Sequence, residues 1–224
     1  MNNFNLLLKE IKLFSKQNWW IYIIFIICLF VIYKTNSGNL LEVSIVFLIH
    51  FFGDICVMLM GDFFSKNENK KALLAQIGSF IIFGGIGIYA GITAGKWSYL
   101  VPQLLFFWPI VKGFKQDIKW LNSYFMIVVG IFVLFGYYYL GLIKSLSIFI
   151  QILGFIIFPI SLILTKNSYK YFGSLVGIGF IFLGSALLLY NGFIEKNVIG
   201  TDLSYTLLPF TVFIYYLKLI KKYI

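Results

Sequence analysis

The sequence predicts an all-α, polytopic membrane protein with about eight transmembrane helices. Three observations carry that prediction. Of the 224 residues, 61% are apolar and only 12% are charged, and the mean hydropathy is +0.93. A soluble domain carries about 25% charged residues, so this chain could not cover a water-facing surface. The apolar residues run continuously over near-spanning lengths, where a lipid-facing β-strand would alternate. The lysines collect in the gaps between those runs.

These features exclude a disordered chain, a soluble enzyme and a disulfide-stapled secreted domain. The net charge of +10 does not signal nucleic acid. Every basic residue is a lysine, whereas arginine is the usual reader of phosphates and bases. Cys28 and Cys56 both fall inside apolar runs and read as small buried hydrophobes. One histidine and two separated cysteines build no zinc site, and no Walker loop, GxSxG or dinucleotide fingerprint is present. No cofactor is expected. The abundance of Lys, Asn, Ile, Phe and Tyr, with no Arg, points to an AT-rich bacterial genome.

Met1–Gln17 places Leu6, Leu7, Ile11 and Phe14 on one helical face and Lys9, Lys12 and Lys16 opposite. It reads as an interfacial helix rather than a signal peptide, since no small-residue cleavage site follows the apolar run. Eight spans are expected after it: Trp19–Tyr33, Leu41–Phe64, Ala72–Thr93, Trp97–Val111, Leu121–Tyr139, Leu146–Leu164, Tyr171–Tyr190 and Leu203–Leu217. Residues 1–18 then form a cytoplasmic interfacial segment, 19–218 the eight-helix domain, and 219–224 a short basic tail.

Threading the chain through eight spans leaves Lys34, Lys96, Lys144 and Lys196 on one side and the other fourteen of the eighteen lysines on the opposite side. Positive residues stay cytoplasmic, so both termini are expected inside, in the inner (plasma) membrane. Trp19, Trp20, Trp97, Trp120 and the Tyr137–Tyr139 run lie at span ends, as an aromatic belt requires.

An ionisable group at membrane depth is costly and marks function by default. Glu42, Asp62 and Asp202 lie near span ends and can reach the interface. Asp54 lies near the middle of the second span, and His50, four residues earlier, shares its helical face. Burial disfavours the charged form of a carboxyl, and a neighbouring histidine can share or relay the proton. The pair therefore reads either as an acid–base device or as a structural hydrogen bond. Gln76, Gln103 and Gln151 are further polar groups at depth, fit to bond a neighbouring helix. Gly87, Gly91 and Gly95 are spaced four apart, as are Gly173 and Gly177, and both sets suit close helix packing.

Phe51-Phe52-Gly53-Asp54 in the second span echoes Phe182-Leu183-Gly184-Ser185 in the seventh, at an offset of 131 residues that also aligns Gly61 with Gly192. The two spans run in opposite directions in the expected topology. Elements duplicated in that way place a central site at the repeat interface.

Here the sequence resembles the YhhN family of lysoplasmalogenase-like membrane proteins, over roughly residues 41–95 and 171–222. The family's Gly-Asp corresponds to Gly53-Asp54, and its following G-x-x-x-F-x-x-x-H-x-x-Y helix to Gly78, Ile82, Ile86 and Tyr89. Leu187, Leu188 and Phe193 fit its second-half helix, and Tyr215, Tyr216, Leu219 and Ile220 its terminal motif. Ser185 stands where the family has a second Asp, Ile86 where it has a His, and Lys218 or Leu217 where it has a Gln. The resemblance implies eight spans and hydrolysis of the vinyl-ether bond of alkenyl lysophospholipids by carboxyl acid catalysis. On that basis Asp54, Ser185 and His50 are the candidate catalytic residues, Tyr89 and Gln103 the candidate substrate-binding ones, and membrane lipids the partners. The alternative is a small-solute transporter of the PQ-loop or a related three-helix-repeat type, which Pro102-Gln103 resembles. A third reading is a non-catalytic lipid-binding protein, for which Asp54 would matter only to folding.

Overall fold

Continuous Ile, Leu, Phe and Val runs form helices because a helix satisfies its own backbone polar groups, which apolar surroundings cannot do. The computed structural model describes residues 3–35, 40–95, 100, 105–114, 123–141, 143, 145–164, 166–194 and 200–220. Among them are nine principal helices and no strand: α1 (Asn3–Gln17), α2 (Trp19–Thr35), α3 (Leu40–Ser65), α4 (Asn69–Ala94), α5 (Phe107–Phe114), α6 (Ser123–Tyr139), α7 (Leu146–Leu162), α8 (Asn167–Ile194) and α9 (Gly200–Ile220).

Three of these are long and apolar enough to cross a membrane: Leu40–Ser65, Asn69–Thr93 and Ser168–Asn191. A fourth results if α1 and α2 count as one span bent by 74°. The described apolar stretches of α6, α7 and α9 are shorter. A 17-residue helix such as α7 reaches about 26 Å, against a hydrocarbon core of about 30 Å. The described chain is thus all-helical, and three or four of its helices are long and apolar enough to span a membrane, short of the eight expected. The shortfall is sharpest at the expected fourth span, where the described helix is only the eight-residue α5. Pro109 lies within α5, while Trp97, Pro102 and Gln103 lie outside the described residues.

The bend between α1 and α2 falls at Asn18, which is buried and donates from Nδ2 to the Phe14 carbonyl. It folds the amphipathic α1 back onto the bundle. Phe14 meets the Tyr215 ring on α9, and Lys71 of α4 bonds both Glu10 of α1 and Glu68. Helix α1 is thus docked against α9 and the start of α4.

Two antiparallel hairpins organise the rest. A tight turn at Lys66–Glu68, with Asn67 at a φ of 60°, joins α3 to α4. Asparagine tolerates that left-handed backbone better than most residues. Gly95, at a φ of 65°, ends α4. The second hairpin pairs α7 with α8, with Ser145 capping the start of α7 by accepting from the Ile148 amide. Helix α9 ties the parts together, packing on α2, α3 and α8. Tyr216 donates to the Val57 carbonyl at 3.0 Å, and Tyr171 of α8 to the Gly61 carbonyl at 2.9 Å. The main core lies where α2, α3 and α9 meet, around Phe47, Met58, Phe63, Leu208 and Tyr216.

Candidate functional site

Asp54 sits in the middle of α3 and is 8% exposed. Among the described residues it is the one buried carboxylate. One turn earlier, His50 Nδ1 lies 3.2 Å from Asp54 Oδ2, the contact that i, i+4 spacing on a helix predicts. Gly53 lets α4 approach here. A Cβ at that position would meet the Phe83 ring at 2.7 Å. The same Phe83 lies edge-on to His50, with centroids 5.0 Å apart. On the other flank, Phe51 stacks on Phe25 of α2 at 4.1 Å. The imidazole thus lies against one aromatic ring, and the acid is buried deeper than the imidazole.

Beside it, on the half of the α3–α4 hairpin far from the turn, runs an apolar groove of about 520 Å³. Ile45 and Ile49 line it from α3, and Ile81, Ile82, Gly85 and Ile86 from α4. Two of these, Ile49 and Ile82, are the chain neighbours of His50 and Phe83, while His50 and Asp54 do not themselves line the groove. Its mouth carries one polar contact, the Tyr89 hydroxyl donating to Glu42 Oε1. The volume lies in the range of small-molecule sites, and an apolar trough closed by one polar pair suits the chain of an amphiphile.

Asp54 and His50 are therefore brought together, and Tyr89 stands at the mouth of the adjoining groove. Ser185 is placed elsewhere, in the α7–α8 seam. Its hydroxyl donates to the Ile181 carbonyl at 2.9 Å and accepts from Gln151 Nε2 at 2.7 Å. Thr206 of α9 bonds the Ser185 carbonyl. Gln103 lies outside the described residues.

Sequence reasoning expected Gln151 to bond a neighbouring helix but did not find its partner, Ser185, 34 residues on, and it missed the Glu42–Tyr89 pair across 47 residues. The isoleucines of the groove look like any others in an apolar helix. Gln76 is buried on α4, and among the described residues its Nε2 has no hydrogen-bond partner. Among the described residues no three His, Cys, Asp or Glu side chains converge, so none of them builds a metal centre. No family model, no curated protein and no solved structure matches this chain.

Proposed function

We propose that this chain is an integral membrane lipid hydrolase that cleaves a vinyl-ether bond, as the lysoplasmalogenase-like family it resembles does. The observation that supports this reading best is the Asp54–His50 pair, 3.2 Å apart at mid-helix and beside an apolar groove. In this reading the chain crosses the plasma membrane eight times, with α2 to α9 as the spans and both termini cytoplasmic. The lipid chain lies in the groove between α3 and α4, and the alkenyl ether reaches Asp54 beside it.

The chemistry asks little of the protein. Asp54 delivers a proton to the alkenyl carbon remote from the ether oxygen, leaving an oxocarbenium ion at the adjacent carbon. Water adds to that carbon and its proton returns to the Asp54–His50 pair. The resulting hemiacetal breaks its bond to the glycerol oxygen, releasing a fatty aldehyde and the glycerophospho head group. His50 orients the carboxyl and carries the proton between steps. The burial of Asp54 keeps bulk water from the acid.

The test is aldehyde release from an alkenyl lysophospholipid by the purified protein in detergent, with Asp54→Asn alongside. Aldehyde that vanishes in the folded variant is the expected result. A folded wild-type protein that releases none overturns the assignment.

A further inference from the structure

The outward faces of α1 and α2 change character at the bend that joins them. On α2, Ile23, Ile26, Ile27 and Phe30 form an exposed apolar stripe between the exposed rings of Trp19 and Tyr33. On α1, from Lys9 onward, the exposed residues are Lys9, Lys12, Leu13, Lys16 and Gln17. Lys9, Lys12 and Lys16 recur at helical spacing and so share one face. The rest of α1 is held by the protein. Phe14 is buried against the Tyr215 ring, Asn18 is buried at the bend, and Glu10 bonds Lys71. The two helices bend by 74° at this point.

An exposed apolar stripe suits hydrocarbon, whereas exposed ammonium groups there are costly. A hydrocarbon boundary drawn at the bend satisfies both faces: α2 enters the bilayer, and α1 runs along its surface instead of lengthening the span. Trp19, the first residue of α2, then stands at the head-group level where indole rings settle. The acids of this corner are already engaged, Glu10 and Glu68 with Lys71 and Asp62 with Lys66. Among the described residues no carboxylate pairs with Lys9, Lys12 or Lys16. Their face therefore carries its positive charge outward. It also carries Leu13, 50% exposed among those lysines. Charge alone suits any polyanion. A leucine among lysines, beside an exposed tryptophan, suits a lipid surface, where phosphates meet the ammonium groups and the acyl boundary receives the leucine.

We propose that Lys9, Lys12 and Lys16 of α1 form a docking surface for the anionic head groups of the bilayer leaflet at which α2 begins. Clusters of lysines on an amphipathic helix beside a span attract anionic lipids in this way. The proposal is independent of the hydrolase reading, since it uses neither Asp54 nor the α3–α4 groove.

The test uses the full chain reconstituted in vesicles of brominated phosphatidylcholine, whose bromines quench tryptophan. Unbrominated phosphatidylglycerol is mixed in at rising mole fraction, with unbrominated phosphatidylcholine as the reference. The Trp19 signal is the difference between the wild type and Trp19→Phe. At low salt, phosphatidylglycerol should restore that signal at a severalfold lower mole fraction than phosphatidylcholine does. The preference should collapse at 1 M salt, where the screening length is about 3 Å. Lys9→Gln, Lys12→Gln and Lys16→Gln should each lower it by up to about fivefold, and the triple variant should abolish it. Replacing the same three lysines by arginine, which keeps the charge, should preserve it. Lys34→Gln, on an exposed lysine at the other end of α2, serves as the control and should leave it unchanged. Three results overturn the proposal: equal recovery with the two lipids in the wild type, a preference that survives in the folded triple glutamine variant, or one carried wholly by the tryptophans left in Trp19→Phe. The single variants, each on an exposed side chain, decide the matter where the triple variant fails to fold.

Discussion

In the α7–α8 hairpin, backbone lies against backbone. A Cβ on Gly154 would meet the Gly177 carbonyl at 2.6 Å, and one on Gly177 would meet the Phe158 amide nitrogen at 2.7 Å. Between α3 and α4 the glycines meet a side chain or nothing, although Gly87 of α4 would meet the Leu100 backbone at 3.1 Å. Gly53 faces the tip of the Phe83 ring, and Gly84 and Gly85 have no neighbour within 4 Å of an added Cβ. The polar groups follow the same division. Ser161 bonds Ser174 and Gln151 bonds Ser185, each across the α7–α8 seam. Asp54 and His50 bond each other on a single helix, beside a groove. In lipid, helices associate through close packing and interhelical hydrogen bonds, because the tails are as apolar as the side chains. The first hairpin has left that packing incomplete along half its length. Room for a ligand and an ionisable pair occur together there, and a sealed, self-satisfied seam occurs where they do not. The comparison separates a closely packed pair from one that leaves a groove.

The sharpest way to break it is Asp54→Asn. Losing a positioned acid should lower aldehyde release by roughly 10²- to 10⁴-fold, measured in a single-turnover aldehyde assay. Thermal unfolding should move little, because asparagine can still bond His50. A variant that loses activity only by unfolding would make the pair structural and erase the distinction.

Next in size is Gly177→Ala against Gly85→Ala. The first adds a methyl 2.7 Å from a backbone nitrogen that cannot swing aside, and should cost about 1–3 kcal/mol. The second adds it to open space on a helix and should be neutral or stabilising by about 0.5–1 kcal/mol. Equilibrium unfolding in mixed micelles measures both. Equal costs would mean the two hairpins are packed alike. Ser185→Ala follows, at about 0.6–1.7 kcal/mol for the lost interhelical bond, with wild-type turnover. A Ser185→Ala protein that is stable but inactive would move the chemistry into the α7–α8 seam.

How much of this was legible beforehand depends on the range of each interaction. The second span was expected at Leu41–Phe64 and α3 runs Leu40–Ser65; the sixth was expected at Leu146–Leu164 and α7 runs Leu146–Leu162. Polar residues bracket those apolar runs, so the bounds are local facts. The His50–Asp54 contact was legible for the same reason, being one helical turn. The tight role of Gly173 and Gly177 was too, since small residues four apart form a stripe. What was not legible depends on how one helix is rotated and tilted against another. The groove exists because the outer halves of α3 and α4 stand apart, and nothing in Ile45 or Ile82 encodes that. The Gln151–Ser185 bond likewise needs the register of α7 on α8. The expected fourth span is described only in part, as the eight-residue α5, because Trp97, Pro102 and Gln103 lie outside the described residues.

The smallest expected effect tests whether the groove is the substrate's path at all. Tyr89 is largely exposed, and its bond to Glu42 closes no core, so Tyr89→Phe should change stability by less than about 1 kcal/mol. Its effect on kinetics should fall on one constant only. If the lipid enters past the Glu42–Tyr89 pair and lies along Ile45 and Ile82, losing the hydroxyl disturbs binding equally in ground and transition states. KM for the alkenyl lysophospholipid should then shift by roughly twofold to tenfold, with kcat unchanged. Asp54→Asn should do the reverse, lowering kcat with KM kept. A Tyr89→Phe variant with both constants at wild-type values would send the lipid to Asp54 by another route and leave the groove a gap in the packing.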